Sequence, residues 1–351
     1  MTDPVIDERN NPIVVDDAAS ELDSAFSDAG SDTTSLASSI LKYHYENGRR
    51  YHAYQEGRYL LPNDEKEQDH MDVLGHIFML ILDGKLFLAP IDEHPQRILD
   101  LGCGTGLWAI EMGDMFPSAQ VIGNDLSPIQ PGMYVFYRCQ WRLIMANLSY
   151  TTRVPPNVQF EVDDIEQDWT YKSPFDFIHA RFLASSIRDW PRLFQQVFKN
   201  LKPGGYAEFF DWDFRYQSDD GSLKETHEMR INIKEVLRAA DIIGQTATPG
   251  PHLKKWAEDA GFVNIKEHVF KVPYGTWPKD PKLKEIGAWN QLQALEGVEG
   301  WSMGLLSRVL GWSPAKVHVH LAQTRKDFRN PNIHAYAKLY LVYGQKPKPE
   351  N

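Results

Sequence analysis

Cysteine is almost missing from this 351-residue chain, which has only Cys103 and Cys139. Cys103 lies inside a glycine-rich turn, so a disulfide framework is not expected and a reducing compartment, cytoplasmic or nuclear, is. No run approaches ~20 apolar residues, which argues against a membrane span. The beginning carries no apolar secretion signal. Basic charge is also scarce. The formal net charge is -11, from 37 Lys and Arg against 48 Asp and Glu. Residues 1–38 hold nine acids and Arg9 alone, a balance of -8, which leaves -3 for the remainder. That is no basic footprint, so nucleic acid is not an expected partner. No carboxylate or cysteine stands at ligand spacing from His318 and His320, so no metal site is expected and the pair reads as structural.

What is present supports a folded enzyme-sized chain. Hydrophobic residues make up 42%, enough for a real core. Residues 1–38, acidic and Ser/Asp-rich, read as a disordered tail or a partner-binding segment. Five tyrosines between Tyr43 and Tyr59 interleave with Arg49, Arg50 and Arg58. Residues 65–82 then carry Met71, Leu74, Phe78 and Leu82 at helical spacing. Residues 39–94 are therefore expected to form a helical N-terminal cap.

Strand and helix signals alternate over residues 95–273. Strands are expected at 97–101, 120–124, 158–162, 175–180 and 206–211, with helices at 107–116 and 190–201. Such alternation predicts an α/β fold with a parallel sheet covered on both faces. Two more strands are expected at 265–273 and 336–343. Between them, residues 274–333 are rich in Trp and Leu and too long for a plain connection, so they predict a helical lid. Residues 334–351 supply the last strand and a tail.

The chemistry concentrates at the strand ends. Asp100-Leu101-Gly102-Cys103-Gly104-Thr105-Gly106 joins the first strand to a helix. Glycine permits the sharp turn and lets a ligand approach the backbone. The unpaired N–H groups of the helix start suit a phosphate or the carboxylate of a methionine moiety. The spacing is G-x-G-x-G, so the dinucleotide pattern G-x-G-x-x-G is not met. Asp125, followed by Leu126, ends the next strand and can accept hydrogen bonds from ribose hydroxyls. Asp163 and Asp164 end the third strand. One of them, with Asp164 favoured, can take an adenine amino group while Ile165 packs on the ring.

These residues resemble the Rossmann-like class I methyltransferases, whose first motif is similar to 98–106 and whose turn before the fifth strand is similar to Leu201-Lys202-Pro203-Gly204-Gly205. The match narrows to the fungal LaeA-type methyltransferases. It is carried by Tyr45-Glu46-Asn47-Gly48-Arg49-Arg50-Tyr51-His52, Leu61-Pro62-Asn63-Asp64-Glu65, 124–131, His179-Ala180-Arg181-Phe182 and Leu310-Gly311-Trp312-Ser313-Pro314. The resemblance implies S-adenosyl-L-methionine as cofactor and a seven-stranded sheet with its last strand antiparallel. It also implies a role in fungal secondary metabolism, as a biosynthetic enzyme or as a nuclear regulator with protein partners.

Within that frame His179 and Arg181 are the catalytic candidates. His179 is a base, an orienting group or a structural histidine, and Arg181 contacts substrate or pairs with an acid such as Asp211. Asp211 and Trp212 are expected on the substrate side. Arg50 and Tyr51 are expected to close over the methionine end of the cofactor, or else to serve helix packing. The apolar lid favours a small-molecule acceptor over a protein one. One departure stands out, since the family runs from 127–131 almost directly into Val154-Pro155-Pro156-Asn157. Here residues 132–153 intervene with no clean period. Gly132-Met133-Tyr134-Val135 is encodable with GTATGT, a splice-donor consensus, and Ala146-Asn147 with the branch-point-like GCTAAC. We read 132–153 as a translated, unspliced intron, against the alternative of an ordinary insertion.

Overall fold

The computed structural model describes residues 43–52, 61–131 and 154–349. The acidic stretch 1–38 and the segment 132–153 lie outside the described residues. The description opens on an antiparallel hairpin, β1 (His44–Glu46) and β2 (Arg49–Tyr51). Asn47 and Gly48 between them have φ of 51° and 76°, the left-handed pair that a two-residue type I′ turn demands. This corrects the helical expectation for the first part of the cap, because Arg50 and Tyr51 lie on a strand. Helix α1 (Glu65–Ile81) starts where the Asp64 side chain accepts the Glu67 N–H at 3.1 Å. It buries Val73, Leu74, Ile77, Phe78 and Ile81, each contributing ~1.5–3 kcal/mol.

The alternating region follows as β3 (Arg97–Leu101), α2 (Leu107–Met115), β4 (Gln120–Asp125), β5 (Val158–Val162), β6 (Phe175–Arg181), α3 (Trp190–Asn200) and β7 (Leu201–Gln217). Then come α4 (Glu228–Ile242), α5 (Leu253–Ala260), β8 (Val263–Pro273), α6 (Pro281–Gly304), α7 (Pro314–Phe328) and β9 (Tyr336–Gln345). Seven strands form one sheet in the order β5-β4-β3-β6-β7-β9-β8. β9 runs antiparallel to β7 and β8, while the other pairs are parallel. This is the doubly covered α/β sheet with one antiparallel strand that the alternation and the resemblance predicted. The chain reverses its direction of sheet growth between β3 and β6, so a crevice opens at the C-terminal ends of these strands.

β7 is much longer than the expected 206–211. The Lys202-Pro203-Gly204-Gly205 turn survives as a bend within the strand, with Gly204 at φ 84° and a slipped register between Phe175 and Phe177 on β6. On one face of the sheet, α3 and α5 share a core with Leu99, Ile178 and Phe209. A second core joins α1, α4, α6 and α7 to Phe210, Trp212, Val272 and Leu339. These four helices cap the crevice end. His320 on α7 bonds Asn232 and Glu228.

Candidate active site

The glycine turn after β3 is built from three left-handed residues, with φ of 62° at Gly102, 55° at Gly104 and 81° at Gly106. L side chains avoid this region, which is why glycine recurs at alternate positions. Each glycine also clears a different neighbour. A Cβ at Gly102 would stand 2.5 Å from Leu183 Cδ2, and one at Gly106 2.6 Å from Phe160 Cζ. A Cβ at Gly104 would stand 3.1 Å from Met71 Sδ of α1, on the side that faces the cleft.

The turn is locked to the end of β4. The Gly104 N–H donates to Asp125 Oδ2 at 2.9 Å, and the Ser127 N–H donates to Asp125 Oδ1 at 2.9 Å. Gln130 donates to the Gly104 carbonyl at 2.7 Å. Burial pushes the Asp125 carboxyl up to about 6, against the pull of these N–H donors. Burial likewise raises the Cys103 thiol, which remains a thiol at neutral pH. Past β5, Asp163 accepts the Asp164 N–H at 2.8 Å. Asp164 accepts from the Glu166 N–H and the Gln167 side chain. Both acids are therefore held in fixed orientations by their own loop.

These parts line one cleft of about 1140 Å³, partly open to solvent. Gly102, Cys103, Gly104, Asp125, Leu126, Asp163, Asp164 and Ile165 all lie on it, as does Arg181. The sequence therefore named most of one wall. The Arg181 guanidinium sits 5.5 Å over the Phe78 ring, and its charge bears on the half-buried Glu111.

Seven expected residues lie elsewhere. His179 is 1% exposed, its ring stacked on Trp108 at 3.8 Å and its Nδ1 3.0 Å from Asp100 Oδ1. Burial lowers its pKa despite the Asp100 carboxylate. It does not line the cleft, so the catalytic reading of His179 gives way to the structural one. Asp100 and Gly106 serve beneath the turn instead of on the cleft wall. Arg50 bonds the Asn63 side chain and carbonyl and Glu65, and buried Tyr51 lies under Arg308. Arg50 thus braces the cleft residue Asn63, and neither Arg50 nor Tyr51 lines the cleft. Asp211 directs its oxygens to the N–H groups of Leu183 and Trp212, at 2.7 and 2.8 Å, and burial raises it to about 7. It positions the loop after β6, and Trp212 is fully buried.

Sequence reasoning missed the opposite wall, which Asn63, just before α1, and Glu67 and Met71 on α1 supply. Glu67 is 3% exposed and fixed by Arg49 at 3.2 Å and His70 at 2.9 Å. Burial works against charge on His70, but the charge and hydrogen bond of Glu67 outweigh it and raise its pKa. The available signal was the motif Leu61-Pro62-Asn63-Asp64-Glu65, to which no role attached.

A second cavity of about 580 Å³ adjoins the cleft, and Leu74 and Phe182 line both. Leu61, Phe214, Tyr216, Ile233, Tyr274 and Leu305 are among its walls, and no charged side chain among the described residues lines it. Phe182 and Ser185 on the separating loop have φ of 55° and 61°, an arrangement L residues rarely adopt. Of the lid tryptophans, Trp301 lines this cavity, whereas Trp289 and Trp312 pack against the core.

Comparison with known proteins fits this geometry. A methyltransferase-domain family matches residues 73–267. Methyltransferase pytC of Aspergillus terreus is 42% identical over 93% of this chain and 95% of its own length. The secondary metabolism regulator LAE1 of Cochliobolus heterostrophus is 35% identical over 86% of this chain and 94% of its own. The protein-methionine methyltransferase laeA of Emericella nidulans is 33% identical over 87% and 77%.

Proposed function

Because the chain belongs to the methyltransferase-domain family, and within it to the fungal LaeA-type proteins, we propose that it methylates an apolar small molecule of fungal secondary metabolism. It is an S-adenosylmethionine-dependent methyltransferase. The observation that carries the acceptor class is the apolar cavity, lined by no charged side chain among the described residues, that shares Leu74 and Phe182 with the cleft. A pocket lined mostly by apolar and aromatic side chains suits a largely apolar small ligand.

The cleft fits the cofactor, because the face of Gly104 is clear of any Cβ and the Asp125 carboxylate stands beside it. When bound, S-adenosylmethionine supplies an electrophilic methyl on a sulfonium leaving group. The backbone of 102–104 would receive the methionine portion, Asp125 the ribose hydroxyls, Asp163 or Asp164 the adenine amino group, and Leu126 with Ile165 the ring. Glu67, fixed by Arg49 and His70, supplies negative charge opposite the cationic portion. Alignment and exclusion of water then account for most of the rate enhancement an in-line displacement requires. Phe182 stands between the two spaces, with Arg181 beside it on the cleft, and the pair would orient the acceptor.

The second reading is a regulator acting through protein partners or protein methylation, favoured by what the 33–35% identical relatives are called. The test follows the label from methyl-labelled cofactor in a fungal extract. Label in the organic-soluble fraction is expected. Label confined to precipitated protein overturns the small-molecule reading.

No helix among the described residues is long and apolar enough to cross a membrane.

A further inference from the structure

Residues 182–187, between β6 and α3, form a wall one chain thick between the two spaces. Leu183, Ser186 and Ile187 line the cleft, Ala184 and Ser185 line the apolar cavity, and Phe182 lines both. The wall is tied to the sheet and to a neighbouring loop. The Phe182 N–H donates to the Phe210 carbonyl at 3.0 Å, the Leu183 N–H to Asp211 Oδ2 at 2.7 Å and the Ser185 N–H to the Thr246 carbonyl at 2.9 Å. With the backbone fixed, side chains set the passage between the spaces. Only Leu74 and Phe182, among the described residues, line both. Leu74 is 3% exposed and packs into the core from α1. Phe182 is half-buried. Its ring stands edge-on to the His70 and Phe214 rings, with centroids 6.5 and 6.4 Å apart, and these neighbours limit its swing. The φ of 55° at Phe182 belongs to the region that glycine enters freely and L side chains rarely do. Glycine there would remove the strain, yet the chain places an aromatic ring at the passage. Strain retained beside a ligand cleft points to a demand on the side chain.

We propose that Phe182 sets the width of the acceptor. Its ring narrows the passage, so a flat apolar ring system sits in the cavity and only its reacting edge passes toward the cofactor. This rests on the small-molecule reading above. Broader frames need the volume that the ring fills, and in a packed wall such overlap forces side chains off their rotamers. Without the ring the cleft and the cavity would merge beside Leu74, and a larger frame would gain by burying its additional apolar surface.

The experiment titrates the full chain, saturated with S-adenosylhomocysteine, with 2-naphthol and with 9-phenanthrol, which carry the same hydroxyl on two and three fused rings. Calorimetry on wild type should show the two-ring probe binding tighter, although the three-ring probe has more apolar surface to bury. Phe182→Gly, which suits the backbone at this position, should shift the ratio of the two affinities toward the three-ring probe by about tenfold or more. Phe182→Leu should shift it the same way by less, and decides the matter if the glycine variant does not fold. Ser185→Gly relaxes the other left-handed residue of the wall, at φ of 61°, and leaves the ring in place, so it should keep the wild-type ratio. Binding of S-adenosylhomocysteine verifies that each variant folds. Tighter binding of the three-ring probe to wild type would overturn the width limit and leave the small-molecule reading standing. An unchanged ratio in the Phe182 variants, or an equal shift in Ser185→Gly, would overturn the assignment to the Phe182 ring. Binding of neither probe to wild type would overturn the proposal together with the reading beneath it.

Discussion

The Gly104 amide donates to Asp125 Oδ2 at 2.9 Å, so the tip of the glycine turn and the acid at the end of β4 form one rigid unit. Removing either half should disable the cofactor cleft. Asp125→Ala also strips the Ser127 N–H of its acceptor. A hydrogen bond to a charged group contributes ~1.5–3 kcal/mol, so affinity for S-adenosylhomocysteine should fall roughly ten- to hundred-fold. Gly104→Val should abolish binding, since φ of 55° strains any side chain and Met71 blocks it. Calorimetry measures both, and unchanged affinity in both variants would sink the proposed role of this turn.

Asp125 also predicts a pH dependence. Burial raises its carboxyl to about 6, and only the ionised form accepts from both ribose hydroxyls while holding two backbone amides. Affinity for S-adenosylhomocysteine should therefore be full above that value and weaken as pH falls through it, approaching about tenfold per unit well below. Asp125→Asn should bind more weakly with a flat profile between pH 5 and 8. A wild-type profile flat over the same range would contradict the assignment.

Glu208 on β7 gives a stability prediction. It is fully buried, and its Oε2 accepts the N–H groups of Leu88 and Ala89 at 2.8 and 2.7 Å while Oε1 has no partner among the described residues. Burial raises this carboxyl from 4.5 to about 7. The folded state thus holds a proton that the unfolded chain releases earlier. Stability from this group is present below pH 4.5 and is lost as pH rises toward 7, by about 3 kcal/mol in total. Glu208→Gln keeps an oxygen for both amides and removes the titration. It should be near neutral at pH 5 and stabilising at pH 8 in urea unfolding, and a variant less stable than wild type at pH 8 would refute this.

His179→Ala tests whether that histidine is structural. The substitution empties the stack on Trp108 and leaves the Asp100 carboxylate without its ring donor in the core. A loss of about 3 kcal/mol or more is expected. The pH profile of the remaining methyl transfer should keep its wild-type shape below the variant's melting temperature. Loss of a limb of that profile would restore His179 as a base.

Residues 132–153, which we propose are a translated intron, flank the cleft in sequence. On one side Gln130 holds the Gly104 carbonyl, and on the other Pro155 is buried. Joining Pro131 to Val154 should leave S-adenosylhomocysteine affinity equal or higher and raise soluble yield. Sequencing of the mature transcript should show the segment absent, and a spliced message that encodes it refutes the intron.

The sequence by itself determined the seven strands of the main sheet, their α/β order and much of one wall of the cleft. Those features obey local rules. Apolar runs and periods mark strands and helices, and left-handed turns demand glycine, so Gly102, Gly104 and Gly106 announce the turn wherever they occur. Asn47-Gly48 carries the same kind of signal, but the Tyr and Arg texture around it reads as a helical cap, and the hairpin is missed. Tertiary structure alone decided which side chains of a recognised element reach the cleft. His179 and Arg181 share a face of β6, but two residues along a strand span ~6.5 Å. That step places Arg181 at the open strand end and leaves His179 in the core beside Trp108. It also decided the wall from α1 and the second cavity, whose residues run from Leu61 to Leu305. No local period links Glu67 to Gly104, or Trp301 to Tyr216. Their proximity exists only because α1 and α6 pack together over the end of the sheet.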